Sequence, residues 1–301
     1  MKENERKIMG DAATRHGLIT AADARRLGLT YRMVETRLAS GRWVGVGRGV
    51  YRLAGVPVTW EQRVLATCLL GGRGAVASHH SAAVLWGLGD IVARSPEITV
   101  PRGSSARRAR QVGRVYYSDL GGRETARRGA IPVTTAERTL LDLALRLPWP
   151  RLVDLVDDVV CRGKCTPGGL RGYLVSFGSN YPGRGKLYRV LTEWTPGPLP
   201  GSKEEMRVAR ILSARRIEPP ERQHEIWDDG SLVARVDLAW PSRAVALELQ
   251  SLRWHGPPER FHADRGRILK LKALGWDVIE VTPRLLNADG GALLCRAVSQ
   301  A

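Results

Sequence analysis

The first 55 residues change from a helical to a strand-like spacing of hydrophobic positions. Helical spacing covers three segments, at residues 3–16, 21–27 and 31–39. Thr20 and Asp23 occupy capping-box positions before the second segment, and Gly28 ends it. Two short strand-like runs follow, at 42–44 and 49–53. The spacing therefore predicts three helices, with a tight glycine turn between the last two, closed by a small hairpin. These are the parts of a winged helix-turn-helix.

The remaining pattern predicts two further domains. Residues 56–195 carry mixed signals, with helices expected at 60–70, 78–88 and 134–145 and strands at 97–101 and 112–117. Pro and Gly become frequent at 195–202, which indicates a linker. Beyond it we expect a helix at 203–214, three strands, a helix at 261–274 and a strand at 276–281. The fold class predicted is multi-domain α/β, with domains at 1–55, 56–195 and 200–301.

Two apolar strands of the third domain each carry an acid where a core residue would fit. They lie in ARVDLAWPSRAVALELQSLRWH, residues 234–255. A hairpin here could bring Asp237 of the first strand near Glu248 and Gln250, which share one face of the second. Buried carboxylates are costly unless they are paired, hydrogen-bonded or bound to a metal. A divalent cation is the simplest way to remove the repulsion between two such acids.

Charge changes the picture more than overall composition does. The chain has 47 Lys and Arg against 30 Asp and Glu, a formal net charge of +17. This excess favours a polyanionic partner, most often nucleic acid. Residues 1–53 hold 11 basic residues against 5 acids, whereas residues 201–301 hold 16 against 14. The basic excess therefore lies outside the domain that carries the acidic hairpin.

Other sequence features exclude some classes of protein. The sequence has no apolar run of about 18 residues and no signal-peptide core, so we expect a cytoplasmic protein without a membrane partner. The four cysteines lack the spacing of a zinc site and are expected to be core thiols: Cys68, Cys161, Cys165 and Cys295. His79 and His80 have no acid or Cys nearby in sequence, which favours a hydrogen bond at a helix start over a metal or catalytic role.

The N-terminal stretch GLITAADARRLGLTYRMVETRLASGRWVGVGRGVYRLAG resembles the winged-helix domain of AbiEi-type antitoxins of type IV toxin–antitoxin systems. The central region resembles that of the same proteins. The resemblance implies binding of double-stranded promoter DNA and a cognate toxin as partner. On this basis we expect phosphate or base contacts from Arg32, Arg37, Arg42 and Arg48. The loop GSSARRAR adds three basic residues expected near DNA, Arg107, Arg108 and Arg110. A solvated basic surface is the alternative for both sets.

The C-terminal motifs RVDLAWPSRAVALELQSLRWH, DRGR and LGWDVIEVT resemble the PD-(D/E)XK nuclease core, and in particular the very-short-patch mismatch-repair endonucleases. The resemblance implies metal-dependent DNA cleavage, with Asp237 and Glu248 holding Mg²⁺ or Mn²⁺. Glu204 or Glu205 would assist as a further ligand, His255 would move a proton, Asp264 would orient that histidine, and Arg265 would contact phosphate. Gln250 stands where relatives carry an acid or lysine. As a further catalytic candidate it could ligate the metal through its carbonyl or orient water, but it cannot act as a general base.

Three hypotheses follow from the sequence. The main one is a DNA endonuclease to which the winged helix delivers the substrate. The alternative is an antitoxin-like transcriptional regulator in which the nuclease fold is a degenerate scaffold, with Gln250 as a sign of decay and Glu204 and Glu205 as favourable charges at a helix N-terminus. A third is an RNA-binding protein. The sequence leaves open the oligomeric state and the choice between a toxin and a repair partner.

Overall fold

The computed structural model describes residues 2–192, 203–249, 258–282, 285–286 and 288–300, with side chains described except at 2–4, 203, 258–265 and 288–289. The chain divides into two compact units, Met1–Leu191 and Thr192–Ala301. The described residues form twelve α-helices and three β-sheets. The α/β class is therefore confirmed in its coarse form. The winged helix, the nuclease fold and the three domain boundaries stay predictions, and the expected linker at 195–202 lies outside the described residues.

The first unit begins with three helices packed on a small antiparallel sheet. The elements are α1 (Lys2–Ala13), β1 (Leu18–Thr20), α2 (Ala21–Arg26), α3 (Tyr31–Ala39), β2 (Trp43–Gly47) and β3 (Val50–Leu53). The strand order is β1-β3-β2. Every element contributes to one apolar core, which includes Ile8, Ile19, Ala24, Val34, Trp43 and Leu53. The predicted helices and hairpin are confirmed, whereas β1 was not expected.

The rest of the first unit is a five-stranded mixed sheet flanked by helices. It contains α4 (Trp60–Gly71), β4 (Val76–Ala77), α5 (His79–Trp86), β5 (Glu97–Val100), β6 (Arg114–Tyr117), β7 (Thr125–Arg128) and β8 (Ile131–Thr134). Four helices follow: α6 (Ala136–Ala144), α7 (Trp149–Cys161), α8 (Pro167–Val175) and α9 (Arg184–Thr192). The strand order is β6-β5-β4-β8-β7. The expected helices and strands of this region are all present, and β4, β7, β8 and α7 to α9 add to them.

The second unit has a four-stranded sheet with the predicted order of elements. It contains α10 (Lys203–Ala214), β9 (Glu221–Asp228), β10 (Ser231–Trp240), β11 (Val245–Leu249), α11 (Pro258–Ala273), β12 (Asp277–Val281) and α12 (Ala288–Gln300). Strand β10 pairs antiparallel with both β9 and β11, and β12 is parallel to β11. Trp240, Val245, Leu247 and Val298 are among the buried residues of its core. The final helix α12 was not expected.

Two further findings bear on the sequence expectations. Within the part of the chain that the structure describes, no helix is long and apolar enough to cross a membrane. All four cysteines have free thiols, and Cys68, Cys165 and Cys295 are buried. Burial raises the pKa of Cys68 to about 12. This agrees with thiols that serve as small core residues.

Candidate functional site

Helix α3 turns one apolar side to the core and a polar side to solvent. Thr30 caps its N-terminus, since the Thr30 hydroxyl accepts a hydrogen bond from the Met33 amide at 3.3 Å. Val34 is buried in the core that the helix shares with the small sheet. The outward side chains are Tyr31, Arg32, Glu35 and Thr36. Tyr31 is 79% exposed, a large aromatic ring left open to solvent at the start of the helix. Arg32, one of the four arginines expected to contact DNA, therefore lies on the solvent side of α3.

Asp23 holds α2 in place through the predicted capping box. The Thr20 amide and hydroxyl donate to the Asp23 carboxylate at 3.1 and 2.7 Å, and the Asp23 amide donates back to Thr20 at 3.0 Å. Arg15 and Arg26 form ion pairs with the same carboxylate at 2.5 and 3.1 Å. Burial raises the pKa of Asp23, but the Thr20 hydrogen bonds and the Arg15 charge outweigh it and hold the pKa below its ordinary value. The turn between α1 and α2 is thus fixed by charge as well as by packing.

Arg37 lies on the inner side of α3, where the sequence predicted a DNA contact. Its side chain is only 12% exposed. The guanidinium donates to the Met33 carbonyl at 3.0 Å and to the Glu5 carboxylate at 3.3 Å. It also lies 5.7 Å from the centre of the Trp43 ring. Since a DNA contact would require breaking these interactions, Arg37 is better described as a structural tie between α3, α1 and β2.

The other three basic residues of this region are open to solvent. Arg42 is 65% exposed and lies 3.7 Å from Glu5, a weak ion pair. Among the described residues, the side chains of Arg32 and Arg48 have no hydrogen-bond or ion-pair partner. Arg48 sits at the turn between β2 and β3 and lines a groove of about 850 Å³ that runs between α2, α3 and the hairpin. We call this the α3 groove.

The basic loop of the central region reaches the α3 groove through one residue. Arg107, Arg108 and Arg110 are all exposed, and Arg108 is part of the groove lining. Arg110 instead donates to the Tyr117 hydroxyl at 2.7 Å and lies over that ring. Arg108 has no side-chain partner among the residues that the structure describes. Arg48 and Arg108 therefore line the same groove, whereas Arg110 contacts Tyr117 on strand β6 of the central sheet.

The two acids of the hairpin are neighbours, and each already has protein partners. β10 and β11 pair through Leu238 and Leu247, so Asp237 and Glu248 lie one step further along the same register. The Asp237 carboxylate accepts from the Leu249 amide at 2.9 Å and from the Gln223 side chain at 3.2 Å. Arg267 of α11 donates to both oxygens of Glu248, at 2.6 and 2.9 Å. The hydrogen bonds to Asp237 and the bidentate ion pair of Glu248 thus offset the free energy lost when these carboxylates are removed from water.

Glu248 remains electrostatically strained in spite of this pair. Its side chain is only 10% exposed. Burial raises the pKa of Glu248, the Arg267 charge lowers it, and the negative charges of Asp237 and Glu280 raise it again, so that the net shift is upward. Glu280 stands beside Glu248 in the parallel register of β11 and β12. Asp237, Glu248 and Glu280 thus lie side by side on three adjacent strands. Among the described residues, the cation that pairs with Glu248 is Arg267.

The remaining residues expected at the nuclease site are placed only in part. Glu204 and Glu205 lie in the first turn of α10, and Glu205 is buried at 6% exposure and makes a further contact of its own. Gln250 and His255 lie outside the described residues, and so do the side chains of Asp264 and Arg265. Their expected roles stay predictions.

The described carboxylates do not offer a ready site for Mg²⁺ or Mn²⁺. Both oxygens of Glu248 face the Arg267 guanidinium, and both oxygens of Asp237 accept hydrogen bonds. A divalent cation held by this pair would have to displace a positively charged side chain. No group of three or more His, Cys, Asp or Glu side chains is placed to hold a metal ion within the described part of the chain. The described carboxylates therefore do not fit a divalent metal ion.

A buried polar network in the central region was not recognised from the sequence. The His80 amide and ring both bond to the Glu97 carboxylate at 2.9 Å, which is the expected hydrogen bond at a helix start. His79 stacks on Tyr116 at 3.7 Å, and burial lowers the pKa of His79 to about 3. Arg138 bonds to Asp142 at 2.8 Å, and burial raises the pKa of Asp142 to about 6. These contacts join α5 to β5 and β6, and the His79 ring lies 3.9 Å from the Asp142 carboxylate of α6, so we interpret the network as structural.

Comparison with known proteins supports the N-terminal assignment. Residues 12–54 match the model of a family described as transcriptional regulator, AbiEi antitoxin. The resemblance of this segment to AbiEi-type antitoxins is thereby confirmed, while the match does not reach the acidic hairpin.

Most of the chain is also similar to mycobacterial proteins. Two relatives from Mycobacterium tuberculosis, named Uncharacterized protein MT2308 (strain CDC 1551 / Oshkosh) and Uncharacterized protein Rv2248 (strain H37Rv), are each 26% identical over 271 residues. The alignment covers 89% of this chain and 96% of each relative. A solved structure titled Crystal structure of RV2827C protein from Mycobacterium tuberculosis has a TM-score of 0.42 at 16% identity and covers 75% of this chain and 88% of that chain. The family match alone identifies residues 12–54 as an AbiEi antitoxin-like transcriptional regulator domain.

Proposed function

We propose that the protein is a DNA-binding transcriptional regulator whose N-terminal winged helix places α3 in the major groove of duplex DNA. The observation that carries the proposal is the exposed side of α3, within the segment that matches transcriptional regulators. This side is bordered by Arg48 of the hairpin, whose side chain has no partner among the described residues. Arg32 and Tyr31 project from the first turn of α3, the part of a recognition helix that meets base edges. Arg48 would hold a flanking phosphate as the tip of the wing.

The AbiEi match also supports a partner. Relatives of this type act as antitoxins, so we propose that a cognate toxin is encoded with the protein and that the bound duplex is its own promoter. The second unit would then serve as a folded scaffold, in which the Arg267 pair neutralises Glu248 instead of a metal.

Binding by the full-length protein tests the proposal. Fluorescence anisotropy would compare a duplex from upstream of its own coding sequence, a scrambled duplex and an RNA duplex, all at one salt concentration. We expect the protein to bind the upstream duplex more tightly than the scrambled duplex or the RNA duplex. Equal affinity for RNA and DNA would support the RNA-binding hypothesis instead.

The endonuclease predicted from the sequence stays a second proposal, favoured by the adjacent placement of Asp237 and Glu248. Incubation of supercoiled, mismatched and single-stranded DNA with Mg²⁺, with Mn²⁺ or with chelator separates it from the regulator. Cutting that requires metal and disappears in Asp237→Ala would establish the enzyme. We expect no cutting, because the described oxygens of both acids already have protein partners.

A further inference from the structure

One edge of the central sheet gathers loops from four strands. β4 and β8 run parallel and begin at this edge, at Val76 and Ile131. β5 is antiparallel to β4, and β7 is antiparallel to β8, so both end there, at Val100 and Arg128. The loop before β4, the loop after β5 and the end of β7 are therefore neighbours. Each carries an arginine.

These arginines line a second groove beside the N-terminal hairpin. The groove has a volume of about 620 Å³ and contains Gly49 and Val50 of the hairpin as well as residues 72–76. Five arginines contribute to its walls: Arg15, Arg48, Arg73, Arg108 and Arg127. No Asp or Glu is among the described residues that line it. We call it the sheet-edge groove.

Four of the five arginines have no acidic partner among the described residues, and the side chains of three of these four have no partner there at all. Arg15 pairs with Asp23, and Arg127 donates to the Ala130 carbonyl at 2.8 Å. Arg48, Arg73 and Arg108 are exposed and have no side-chain partner in the described part of the chain. Like charges gathered around a concave surface raise the local positive potential. Such a surface is stabilised when an anion occupies it.

The sheet-edge groove continues the α3 groove. Arg48 and Arg108 line both, and so do Ala21 and Gly49. A polyanion that enters one groove therefore meets the other at the tip of the hairpin. Guanidinium groups suit phosphate oxygens because their planar forks bind two oxygens at once. A duplex, with regularly spaced phosphates along a continuous backbone, matches two adjoining grooves better than a single small anion does.

We propose that the sheet-edge groove binds the phosphate backbone of the same DNA duplex that α3 reads, with Arg73 and Arg127 as contacts from the central region. This inference rests on the proposed function, since it extends the footprint of the winged helix. The contacts position the duplex and carry no sequence information. Their loss therefore weakens binding to every duplex by the same factor.

The expected size of the effect follows from counterion release. Each phosphate contact contributes about −0.9 to the slope of log K against log salt, which corresponds to about fivefold in affinity at 0.15 M salt. Replacing both Arg73 and Arg127 by Ala should thus reduce the slope by about 2 and the affinity by roughly 30-fold. The ratio of specific to random affinity should not change.

The sheet offers a matched control. Arg94 lies just before β5 and Arg123 just before β7, so both are at the opposite edge of the sheet. Both are exposed, as Arg73 is. Arg94→Ala with Arg123→Ala removes the same charge from the full-length protein, and it is expected to leave the salt slope and the footprint unchanged. Circular dichroism checks that each variant is folded. The single variant Arg73→Ala lies in an exposed turn and keeps the hydrogen bond from Arg127 to the Ala130 carbonyl, so it removes a charge without removing a contact within the protein.

Anisotropy titrations between 0.05 and 0.3 M salt and hydroxyl-radical footprinting of the upstream duplex test the inference. We expect the variant that lacks Arg73 and Arg127 to show a shallower dependence of log K on log salt. It should also lose protection of the duplex on one flank of the footprint only, while the bases and phosphates at α3 stay protected. If the wild-type protein binds duplex DNA and this variant matches both the wild type and the Arg94–Arg123 control, the inference is wrong. If the wild-type protein binds no duplex, the proposed function itself fails.

Discussion

Removing Arg267 should destabilise the second unit by leaving Glu248 buried without its cation. The Arg267 and Glu248 side chains are 31% and 10% exposed, and two hydrogen bonds of 2.6 and 2.9 Å join them. Breaking a fully buried pair costs about 3–5 kcal/mol, whereas an exposed pair contributes about 0–1 kcal/mol. Since this pair lies between the two cases, we expect Arg267→Ala to cost about 2–3 kcal/mol at neutral pH.

The loss should depend on pH in a direction that identifies its cause. Burial already raises the pKa of Glu248, and Arg267 is the group that lowers it, so the pKa rises further in the variant. A carboxyl whose pKa is higher in the folded than in the unfolded state contributes fully to folding stability below the unfolded pKa, here 4.5. This contribution is lost as the pH rises through the folded pKa. The deficit of Arg267→Ala should therefore be small near pH 4 and grow towards pH 7 and above.

Amide hydrogen exchange of peptides from β10 and β11, corrected for intrinsic rates, measures this local stability. The companion variant Glu248→Leu with Arg267→Met replaces the pair by apolar side chains of similar size, and it should recover most of the loss. Duplex binding should stay within about twofold in both variants, because α3 belongs to the other unit. Unchanged exchange in Arg267→Ala at pH 8, or a deficit that shrinks as pH rises, would refute this account of Glu248.

Two further predictions concern the DNA-binding segment. Arg37→Ala should cost about 1–2 kcal/mol of stability, since it removes the hydrogen bond to Met33 and the contact with Trp43. It should leave the ratio of specific to random DNA affinity unchanged, and a selective loss on the specific duplex would restore the base contact predicted from the sequence. Asp23 has a lowered folded pKa, so its contribution is present above the unfolded value of 3.8 and lost as pH falls through the folded pKa. Asp23→Asn should therefore reduce the protection of the α2 amides from hydrogen exchange at pH 7 and make this protection less dependent on pH in the acid range. If protection in the variant falls with pH as steeply as in the wild type, Asp23 is not the group that titrates.

The sequence predicted the elements of the first 55 residues well because their signals are local. Thr20 and Thr30 cap their helices, and Gly28, with a φ of 80°, supplies the turn between them. Strand β1 was missed because it has only three residues and exists through pairing with β3. Pairing with a distant strand leaves no period in so short a run.

Arg37 carried a signal that could have corrected its predicted role. It follows Met33 by four residues and Val34 by three, so helical geometry places it on the buried side of α3. Arginine can lie on that side because its long stem packs while its charge finds a partner. Residue type alone suggested DNA, and the position within the helical period favoured the interior.

The sequence did not predict which side chain balances the charge of the acidic hairpin. Alternation correctly placed Asp237 and Glu248 on neighbouring strands, and it posed the question of what balances their charge. The answer, Arg267, is separated from Glu248 by 19 residues and belongs to a helix rich in basic residues, where one arginine is not distinguished from another. Which charge balances a buried acid is decided by tertiary packing of α11 on the sheet.

The most direct test of the DNA-reading role of α3 is the ratio of affinities for random and upstream duplexes. Full-length wild type, Arg32→Ala with Arg48→Ala, and the Arg94–Arg123 control would be measured at one salt concentration. We expect the wild type to bind the upstream duplex clearly more tightly than the random one, and the control to retain this preference. The Arg32–Arg48 variant should lose about 1–3 kcal/mol on the upstream duplex from Arg32 alone and less on the random one. A wild type without preference, or a ratio that survives loss of both arginines, would contradict it.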